Sequence, residues 1–302
     1  MRSIVSIPLV CWRARRRIAA EHRREPFDVF YVHFKREQIL LTRFLSRRAP
    51  VVWMEHGHLP RGRLRPQLEW AYRRASRHVT TTICVSTSVR DEMMSVTGRS
   101  AHHFEVIENA LEDGWIEPPT PEERRYVRRH FGIPPDAELV LVSVARLIPR
   151  KRIELAIDAV AQMPGAWLIV CGDGPLAADL RRRAADNPRV IFTGHLPDPR
   201  DVYRAGDVQL LLSWEEGFGQ VLLEGAAAGI PAVVVADGGF ADRVEGWGAV
   251  ARSPDAAAVA AACAQARTIA PERTVEWARA RRSPWWADAH RTVLRRGAGK
   301  VA

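Results

Sequence analysis

Residues 208–237 read VQLLLSWEEGFGQVLLEGAAAGIPAVVVAD, and this stretch decides the fold. The run that ends at Trp214 is apolar, which is typical of a strand buried in a sheet. A helical pattern follows and closes on Gly229 and Pro231, the order of residues that usually stops a helix. Residues 231–237 then form a second apolar run. Strand, helix and strand in this order predict a parallel βαβ unit.

The same alternation extends through the second half of the chain. Continuous apolar runs with β-branched residues are typical of strands covered on both faces. Further runs of this kind are ELVLVSVA (138–145), AWLIVCG (166–172) and VIFTG (190–194). Helical patterns separate them. The second half is therefore predicted to be a Rossmann-like domain with helices on both faces of a parallel sheet.

The first half carries a similar but weaker pattern. The strand candidates are FDVFYVHF (27–34), APVVWMEHG (49–57), VTTTICVS (79–86) and HFEVIENA (103–110). They predict a second, small α/β domain. Residues 118–125 read as a linker that leads into a helix. The tail over 274–297 is helical in pattern and contains Trp277, Trp285 and Trp286, and three indoles favour docking on a domain face.

Length and composition set the class of protein. The 302 residues are 47% hydrophobic and 26% charged, enough for two soluble domains, and no window reaches the length of a membrane span. The opening MRSIVSIPLVCW is only faintly like a signal peptide, because it runs into arginines instead of a cleavage site. The four cysteines are widely spaced, so neither a disulfide framework nor a zinc site is indicated. We predict a cytoplasmic protein.

The net charge of +10 is unevenly placed. Residues 1–115 hold 20 basic against 12 acidic side chains, a net of +8, and residues 116–302 hold 25 against 23, a net of +2. A basic half can favour anionic lipid, a phosphorylated acceptor or nucleic acid. The 42 arginines against 3 lysines are equally typical of a compositional bias along the whole chain. No nucleic-acid-binding signature is present, so nucleic acid is not an expected partner.

Several loops are predicted to meet where the strands of the second half end, because ligands of open parallel sheets bind at the carboxyl ends of the strands. Gly217 and Gly219 allow a close backbone approach at a helix N-terminus, which favours a diphosphate. Arg146 and Lys151, after the strand at 138–145, are placed to neutralise that charge. Each feature alone is ordinary, but their occurrence on consecutive strand ends favours a nucleotide site.

The two glutamates of the opening stretch fit the same site. Glu224 lies among apolar residues of its helix, so it is expected to be partly buried and to need partners. The hydroxyls of a ribose would serve, since one carboxylate accepts two of them. Glu216, at the strand end, is placed to reach the group that the diphosphate carries. A single glutamate on a helix is more often a solvated residue.

From Val142 to about Pro254 the chain resembles the nucleotide-sugar domain of retaining GT-B glycosyltransferases of family 4, also called group 1. That family includes sucrose synthase-like and bacterial lipopolysaccharide enzymes. Its signature is two glutamates separated by seven residues, matched here by Glu216 and Glu224. The matching segments are VARLIPRKRIELAIDA, CGDGP, VIFTGHL and EEGFGQVLLEGAAAGIPAVV.

The resemblance implies a role for each matching residue. Arg146 and Lys151 would hold the donor diphosphate, Glu216 would contact the transferred sugar, and Glu224 would bind the ribose. The backbone around His195 would meet the base. The remaining donor-binding residues would be Gly172, Gly217, Phe218 and Gly219. No metal or cofactor is implied, and the chain contains no Asp-x-Asp motif.

The first half matches the family more weakly. His56, in MEHGH, falls where the family places a histidine that faces the donor sugar and the acceptor, and it completes the expected catalytic set with Glu216, Lys151 and Arg146. The alternative is a hydrogen-bonded histidine at a strand end. Residues 106–112, VIENALE, resemble the segment V-I-x-N-G-x-D that ends the first domain, with Ala110 and Glu112 as departures.

Two further departures concern the acceptor and the sugar. Only 26 residues precede Phe27 and none is glycine, whereas the family has a glycine-rich acceptor loop there. The acceptor half is thus expected to be abbreviated, or the start to be internal. The family's G-G-x-x-E segment matches only loosely, with Asp242 at its acidic position after Gly238. Neither departure changes the expected reaction class.

The resemblance implies a GT-B fold, with two Rossmann-like domains facing across a cleft. We expect an acceptor-side domain over 1–115, a donor domain over 116–275 and a helix over 276–302 that crosses back to the first domain. The expected reaction is the retaining, metal-independent transfer of a hexose from a UDP- or GDP-sugar to an acceptor hydroxyl. The alternatives are a donor-binding subunit that needs a partner chain and a sugar-nucleotide epimerase.

Overall fold

The computed structural model describes residues 7–112, 114–115, 117–281 and 283–299. The chain divides into two compact units. Unit 1 extends to Asn109 and resumes at Pro284, and unit 2 runs from Ala110 to Ser283. The divisions thus fall at 109/110 and 283/284, against the expected 115/116 and 275/276. The first six residues of the signal-like stretch lie outside the described part.

Unit 1 begins with a four-stranded parallel sheet and its helices. The elements are α1 (Ile7–Arg24), β1 (Phe30–Val32), α2 (Lys35–Leu45), β2 (Val51–Glu55), α3 (Arg65–Ser76), β3 (Thr81–Cys84), α4 (Thr87–Thr97) and β4 (Phe104–Val106). The sheet order is β1-β2-β3-β4. All four predicted strands are present. Helix α1 was not predicted, because its six arginines mask the apolar periodicity.

Unit 2 contains a six-stranded parallel sheet of order β10-β9-β8-β5-β6-β7. The strands are β5 (Leu139–Val144), β6 (Ala166–Cys171), β7 (Val190–Gly194), β8 (Val208–Leu211), β9 (Ala232–Val235) and β10 (Gly248–Ala251). The helices are α5 (Pro121–His130), α6 (Ile153–Ala161), α7 (Ala177–Arg183), α8 (Arg200–Ala205), α9 (Gln220–Ala227), α10 (Ala256–Ala266) and α11 (Pro271–Arg279). The two parallel sheets confirm the predicted α/β class.

The order of the unit 2 sheet reverses between β5 and β8. The chain proceeds from β5 outward to β7 and then returns to the other side of β5, where Leu141 pairs with Val208. Such a switch point opens a crevice at the carboxyl ends of the two strands, and ligands of open α/β sheets bind there. The sheet topology therefore predicts that a ligand site is formed by the loops that follow β5 and β8.

Both faces of the unit 2 sheet are covered. Leu139 and Leu141 of β5 belong to one buried cluster, with residues of α6 and α10. Val140 and Val142 belong to a second cluster on the other face, with residues of α5 and α8. Alternate side chains of one strand therefore enter two different cores, which is why the strand reads as an unbroken apolar run.

The C-terminal tail forms two helices instead of the single predicted one. Helix α11 ends at Arg279, and α12 spans Ser283–Gly297. Trp277 stacks on Trp247 within unit 2, with ring centroids 4.4 Å apart. Trp286 packs on His290 of the same helix, and Trp285 is 51% exposed, so the tail does not bury the indole of Trp285. No helix in the described ranges has the length and apolar character needed to span a bilayer.

Candidate active site

A carboxylate surrounded by cations lies at the switch point of unit 2. Lys151, in the loop after β5, donates a hydrogen bond from Nζ to Oε2 of Glu216, in the loop after β8. Arg150 Nη1 lies 3.5 Å from Oε1 of the same carboxylate, and Ser213 Oγ donates to Oε2 at 3.3 Å. The side chains of Lys151 and Glu216 are 11% and 16% exposed. The structure thus brings together two of the four predicted catalytic residues.

Arg146 lies in the same loop but is differently placed. It lies two residues after the end of β5 and is exposed. Its guanidinium makes no ion pair with any residue of the described ranges, whereas Glu216 already partners Lys151. Arg146 therefore leaves a positive charge at the mouth of the crevice, which favours an anionic ligand.

The buried side chain of Phe218 anchors the Gly-Phe-Gly turn between β8 and α9. Gly219 adopts a left-handed conformation, with φ of 76°, and is the residue from which α9 begins. The ring of Phe218 is only 4% exposed, and the guanidinium of Arg243 lies over it at 5.2 Å. Arg243 Nη1 also donates to the carbonyl of Phe218 at 3.2 Å. Phe218 thus anchors the turn by its side chain, which leaves mainly the backbone of the turn to line the crevice.

Glu224 lies one turn into α9 and is partly buried, as the sequence predicted. Its Oε2 accepts a hydrogen bond of 2.6 Å from the hydroxyl of Tyr203, a residue of α8 that is 1% exposed. Burial raises the pKa of Glu224, and the bond from Tyr203 partly offsets that rise. The carboxylate is therefore held in one orientation but is costly to keep charged.

A buried amide fixes α9 against β8. Gln209, inside the strand, donates from Nε2 to the carbonyls of Leu222 at 3.1 Å and Ile230 at 3.3 Å. Its side chain occupies the space above Gly225, where an added Cβ would lie 2.4 Å from it. Sequence reasoning missed both Tyr203 and Gln209. For Gln209 a signal existed, since it is the single polar residue in the run VQLLL.

The loops after β5, β6 and β7 pack backbone against backbone. Gly172 has φ of +137°, and a Cβ there would lie 1.9 Å from the carbonyl oxygen of Ala145. The amide of Gly172 donates to the carbonyl of Gly194 at 2.8 Å. His195 follows at the same edge of the sheet, with an exposed side chain. Gly172 thus permits the close approach of three strand-end loops.

A second ion pair links the loops that follow β5 and β9. Arg152 has φ of 50°, the only non-glycine residue with positive φ in the described ranges. Its guanidinium donates two hydrogen bonds, of 2.7 and 2.6 Å, to the carboxylate of Asp237 and lies 5.4 Å from the ring centroid of Trp214. Asp242, the loosely matching acidic residue, is exposed. The sequence analysis did not identify Arg152, because nothing in its neighbours signals the left-handed backbone.

His56 belongs to unit 1, where it follows β2. Its Nε2 lies 3.1 Å from Nδ1 of His33, so the two imidazoles share a hydrogen bond. Burial lowers the pKa of His56, and the nearby charges of His33 and Lys35 lower it further, which favours the neutral imidazole. Lys35 Nζ bonds Glu55 at 2.8 Å and the carbonyl of Gly57 at 2.9 Å, on either side of His56.

Two family models match the chain. Residues 138–268 match the model described as "Glycosyl transferases group 1", and residues 3–114 match "Glycosyltransferase Family 4". Both matches are to glycosyltransferase models, one over each half of the chain. The recognition made from the two-glutamate motif is confirmed. The match over residues 138–268 includes every residue described around the unit 2 crevice.

Curated relatives of this chain are similar to it over part of their length. It is 31% identical over 184 residues to a 2-deoxystreptamine glucosyltransferase of Streptomyces kanamyceticus, which is 58% of this chain and 46% of the relative. It is 35% identical over 144 residues to a D-inositol 3-phosphate glycosyltransferase of Mycolicibacterium smegmatis, 42% of this chain and 32% of the relative. The chain thus spans about half or less of the length of these relatives.

Solved structures share the fold. The Anabaena protein Alr3699/HepE, crystallised in complex with UDP, has a TM-score of 0.83 at 20% identity, over 93% of this chain and 81% of that one. Sucrose-phosphate synthase from Thermosynechococcus elongatus has a TM-score of 0.78 at 19% identity, over 93% of this chain and 76% of that one. These likenesses confirm the predicted GT-B class, with two Rossmann-like units.

Proposed function

We propose that this chain transfers a hexose from a nucleoside-diphosphate sugar to the hydroxyl of an acceptor, with retention at the anomeric carbon and without a metal ion. The observation that carries the proposal is the group formed by Glu216, Lys151 and Arg150 at the switch point of unit 2, in the loops that precede α6 and α9, the helix that contains Glu224. A donor has a diphosphate, a ribose and a sugar, and this crevice offers a matching group for each.

The charges of the crevice suit a diphosphate. Lys151 and Arg146 lie in one loop, and Arg146 has no described counterion. As the bond from the anomeric carbon to the diphosphate breaks, negative charge grows on the phosphate oxygens. Cations already fixed in place stabilise that charge without reorganisation. This is the role that a divalent metal performs in other transferases, which supports metal independence.

Glu216 and Glu224 are proposed to bind hydroxyls. The ion pair with Lys151 holds the carboxylate of Glu216 in one orientation, in which it can accept hydrogen bonds from the transferred sugar. Glu224, held by Tyr203, would accept the two hydroxyls of the ribose. For retention, we propose that the acceptor oxygen attacks the anomeric carbon from the face that the diphosphate leaves. The departing phosphate oxygen would take the proton of the acceptor hydroxyl.

The names of similar proteins support a nucleotide-sugar donor without choosing the base. One structural neighbour was crystallised with UDP-glucose, and one relative is described as a GDP-mannose-dependent mannosyltransferase of Mycobacterium tuberculosis. The acceptor is a glycan, a lipid-linked sugar or a small molecule. We place the reaction in the cytoplasm, since the four cysteines are free, and we propose peripheral contact with a membrane through the basic first half.

The test is calorimetry of the purified chain with a panel of UDP- and GDP-sugars, followed by an assay of transfer and hydrolysis for each donor that binds. We expect one donor class to bind, and activity to persist in a chelator. Nuclear magnetic resonance of the product should show the anomeric configuration of the donor. An inverted product, or activity abolished by the chelator, would refute the proposed mechanism. Donor binding without transfer, until a partner chain is added, would favour the donor-binding subunit, and release of an epimerised sugar would favour the epimerase.

A further inference from the structure

The outward surface of α1 combines large apolar side chains with arginines. Leu9, Val10 and Trp12 are 50%, 53% and 52% exposed. At about 3.6 residues per turn they lie on the same side of the helix as three exposed arginines. We call this set the outward α1 face, and it comprises Leu9, Val10, Trp12, Arg13, Arg16 and Arg17.

The opposite side of α1 fixes the orientation of this face. Cys11, Ala14 and Ile18 recur at helical spacing and are partly buried. Arg15 donates from Nη2 to the carbonyl of Leu40 in α2 at 2.7 Å. At the far end, the amide of Phe27 donates to His22 Nδ1 at 3.0 Å. Helix α1 is therefore attached to unit 1 by its other side, and the outward face points away from the core.

The charges of the outward α1 face are not neutralised by ion pairs within the described part of unit 1. Arg13, Arg16 and Arg17 make no ion pair with a residue of the described ranges, and the guanidinium of Arg16 lies 4.7 Å from the ring centroid of Trp12. The whole helix IPLVCWRARRRIAAEHRR contains six arginines and one glutamate. A partner for this surface must therefore offer both negative charge to the arginines and an apolar environment to the large hydrophobic side chains.

Only one class of occupant fits both. A protein interface that covered the face would desolvate three guanidiniums, each of which would need its own carboxylate. A nucleic acid would match the arginines but would leave Leu9 and Val10 against phosphate and water. The surface of an anionic bilayer offers phosphates to the arginines and an apolar layer just below them. Tryptophan is enriched at that boundary.

We propose that the outward α1 face binds the surface of an anionic membrane, with Leu9, Val10 and Trp12 inserted between the headgroups. The helix lies parallel to the bilayer plane, and Arg13, Arg16 and Arg17 contact lipid phosphates. The proposed function includes contact of the basic first half with a membrane, and this proposal names the residues that make that contact. It rests on the proposed function only for the expectation that such a contact exists.

The test is sedimentation of the 302-residue chain with vesicles of phosphatidylcholine, or of phosphatidylcholine mixed with phosphatidylglycerol. We expect binding to the mixed vesicles only, and weaker binding at high salt. The double variant Leu9→Ser with Trp12→Ser and the triple variant Arg13→Gln, Arg16→Gln and Arg17→Gln should each lose binding. For the triple variant the expected loss is roughly fivefold for each arginine. Melting temperatures should stay unchanged, because all five side chains are exposed.

Helix α5 of unit 2 provides a matched control. Tyr126 is 66% exposed and lies in a helix with four arginines. The variant Arg125→Gln, Tyr126→Ser and Arg129→Gln removes two exposed arginines and one exposed aromatic side chain, and it should bind vesicles like the unaltered chain. An equal loss in this control, or an α1 variant that binds normally, would overturn the proposal. So would binding of single-stranded DNA in place of vesicles.

Calorimetry with the nucleotide-sugar panel separates this proposal from the proposed function. The α1 variants should bind donor like the unaltered chain, since α1 belongs to unit 1 and the crevice to unit 2. A chain that binds vesicles through α1 but binds no donor would refute the function and leave the membrane surface standing. A chain that binds donor but does not bind vesicles would refute the membrane surface and leave the proposed function standing.

Discussion

Glu216 and Glu224 belong to the same two-glutamate motif, yet the structure gives them opposite environments. Glu216 lies between two cations, with Lys151 bonded to Oε2 and Arg150 close to Oε1. Glu224 lies in an apolar setting, where burial raises its pKa and the hydroxyl of Tyr203 is its hydrogen-bond partner. We therefore expect replacements of Lys151, the partner of Glu216, and of Glu224 to have different effects on the protein.

Replacing Lys151 should slow the chemical step more than it weakens donor binding. Lys151→Ala removes a cation fixed beside the leaving diphosphate and frees Glu216 to turn toward Arg150. By analogy with other single charge-stabilising groups, the barrier should rise by about 2–4 kcal/mol. Single-turnover rates and donor affinity measure the two effects separately. A rate loss no larger than the affinity loss would contradict the role given to Lys151.

Glu224→Gln should weaken donor binding by about 1.5–3 kcal/mol, the scale of hydrogen bonds to charged groups. Its effect on folding depends on pH. Burial raises the pKa of Glu224 above the ordinary value of 4.5, so its stabilising contribution is present in acid and is lost as the pH rises through the raised pKa. The melting temperature of the variant should therefore match the parent in acid and equal or exceed it near neutrality. A variant that binds donor normally but melts much lower would make Glu224 a structural carboxylate.

Tyr203→Phe tests the hydroxyl that holds Glu224. Loss of that hydrogen bond should raise the pKa of Glu224 further. As the pH is lowered, Glu224 should then be protonated earlier, so the variant should lose donor affinity at a higher pH than the unaltered chain. The matched control is Tyr72→Phe in unit 1, where a buried hydroxyl donates to Gln38 at 2.7 Å. Both variants lose a buried hydrogen bond and should lose similar stability, about 1 kcal/mol. Only Tyr203→Phe should move the pH midpoint of donor binding, and an equal shift in the control would contradict this account.

At the scale of elements, the apolar strands were the most predictable features. Strands such as β5 are covered on both faces, so burial dictates nearly every residue. The short strand β10, GAVA, has too few large side chains to stand out, and it was missed. The break between α11 and α12 was missed as well, because the arginines around it are compatible with one continuous helix.

The packing of the strand-end loops predicts a large cost for one glycine. In Gly172→Ala the new Cβ would lie 1.9 Å from the carbonyl oxygen of Ala145, in a backbone conformation that only glycine adopts easily. We expect a loss of roughly 2–4 kcal/mol in the free energy of unfolding. Gly98→Ala is the control, since Gly98 has φ of +69° and nothing within 4 Å, and it should cost about 1 kcal/mol. Denaturant unfolding of both variants measures the difference, and equal losses would contradict the steric argument.

For the molecule as a whole, the sequence predicted where the site residues lie better than it predicted which residues they contact. The strand-end rule and the motif placed Glu216, Lys151 and Arg146 at one edge of unit 2, and in the structure Lys151 bonds Glu216 while Arg146 lies in the same loop as Lys151. The partners Tyr203, Gln209 and Arg152 were not predicted. Each acts through a contact between residues far apart in the chain, and such contacts cannot be predicted from local sequence spacing.

Hydrogen exchange in the presence of donor should map the site onto the two units. Binding should slow the exchange of amides in residues 146–151 and 213–227, since these loops and α9 form the crevice of unit 2. The core of the unit 1 sheet should exchange as before. Slower exchange over residues 55–58 would support the role that the family resemblance gives His56. Protection confined to other parts of unit 2 would refute the crevice as the donor site.

The lysines of this chain have a practical consequence for chemical labelling. Of the three in the sequence, the two in the described ranges both bond glutamates: Lys35 with Glu55, and Lys151 with Glu216. Reagents that acylate amines will therefore find few targets, and the side chain of Lys151 is only 11% exposed. A peptide that contains Lys151 should be acylated slowly, and more slowly still when a nucleotide occupies the crevice. Mass spectrometry of that one peptide would then report occupancy of the site without any knowledge of the acceptor.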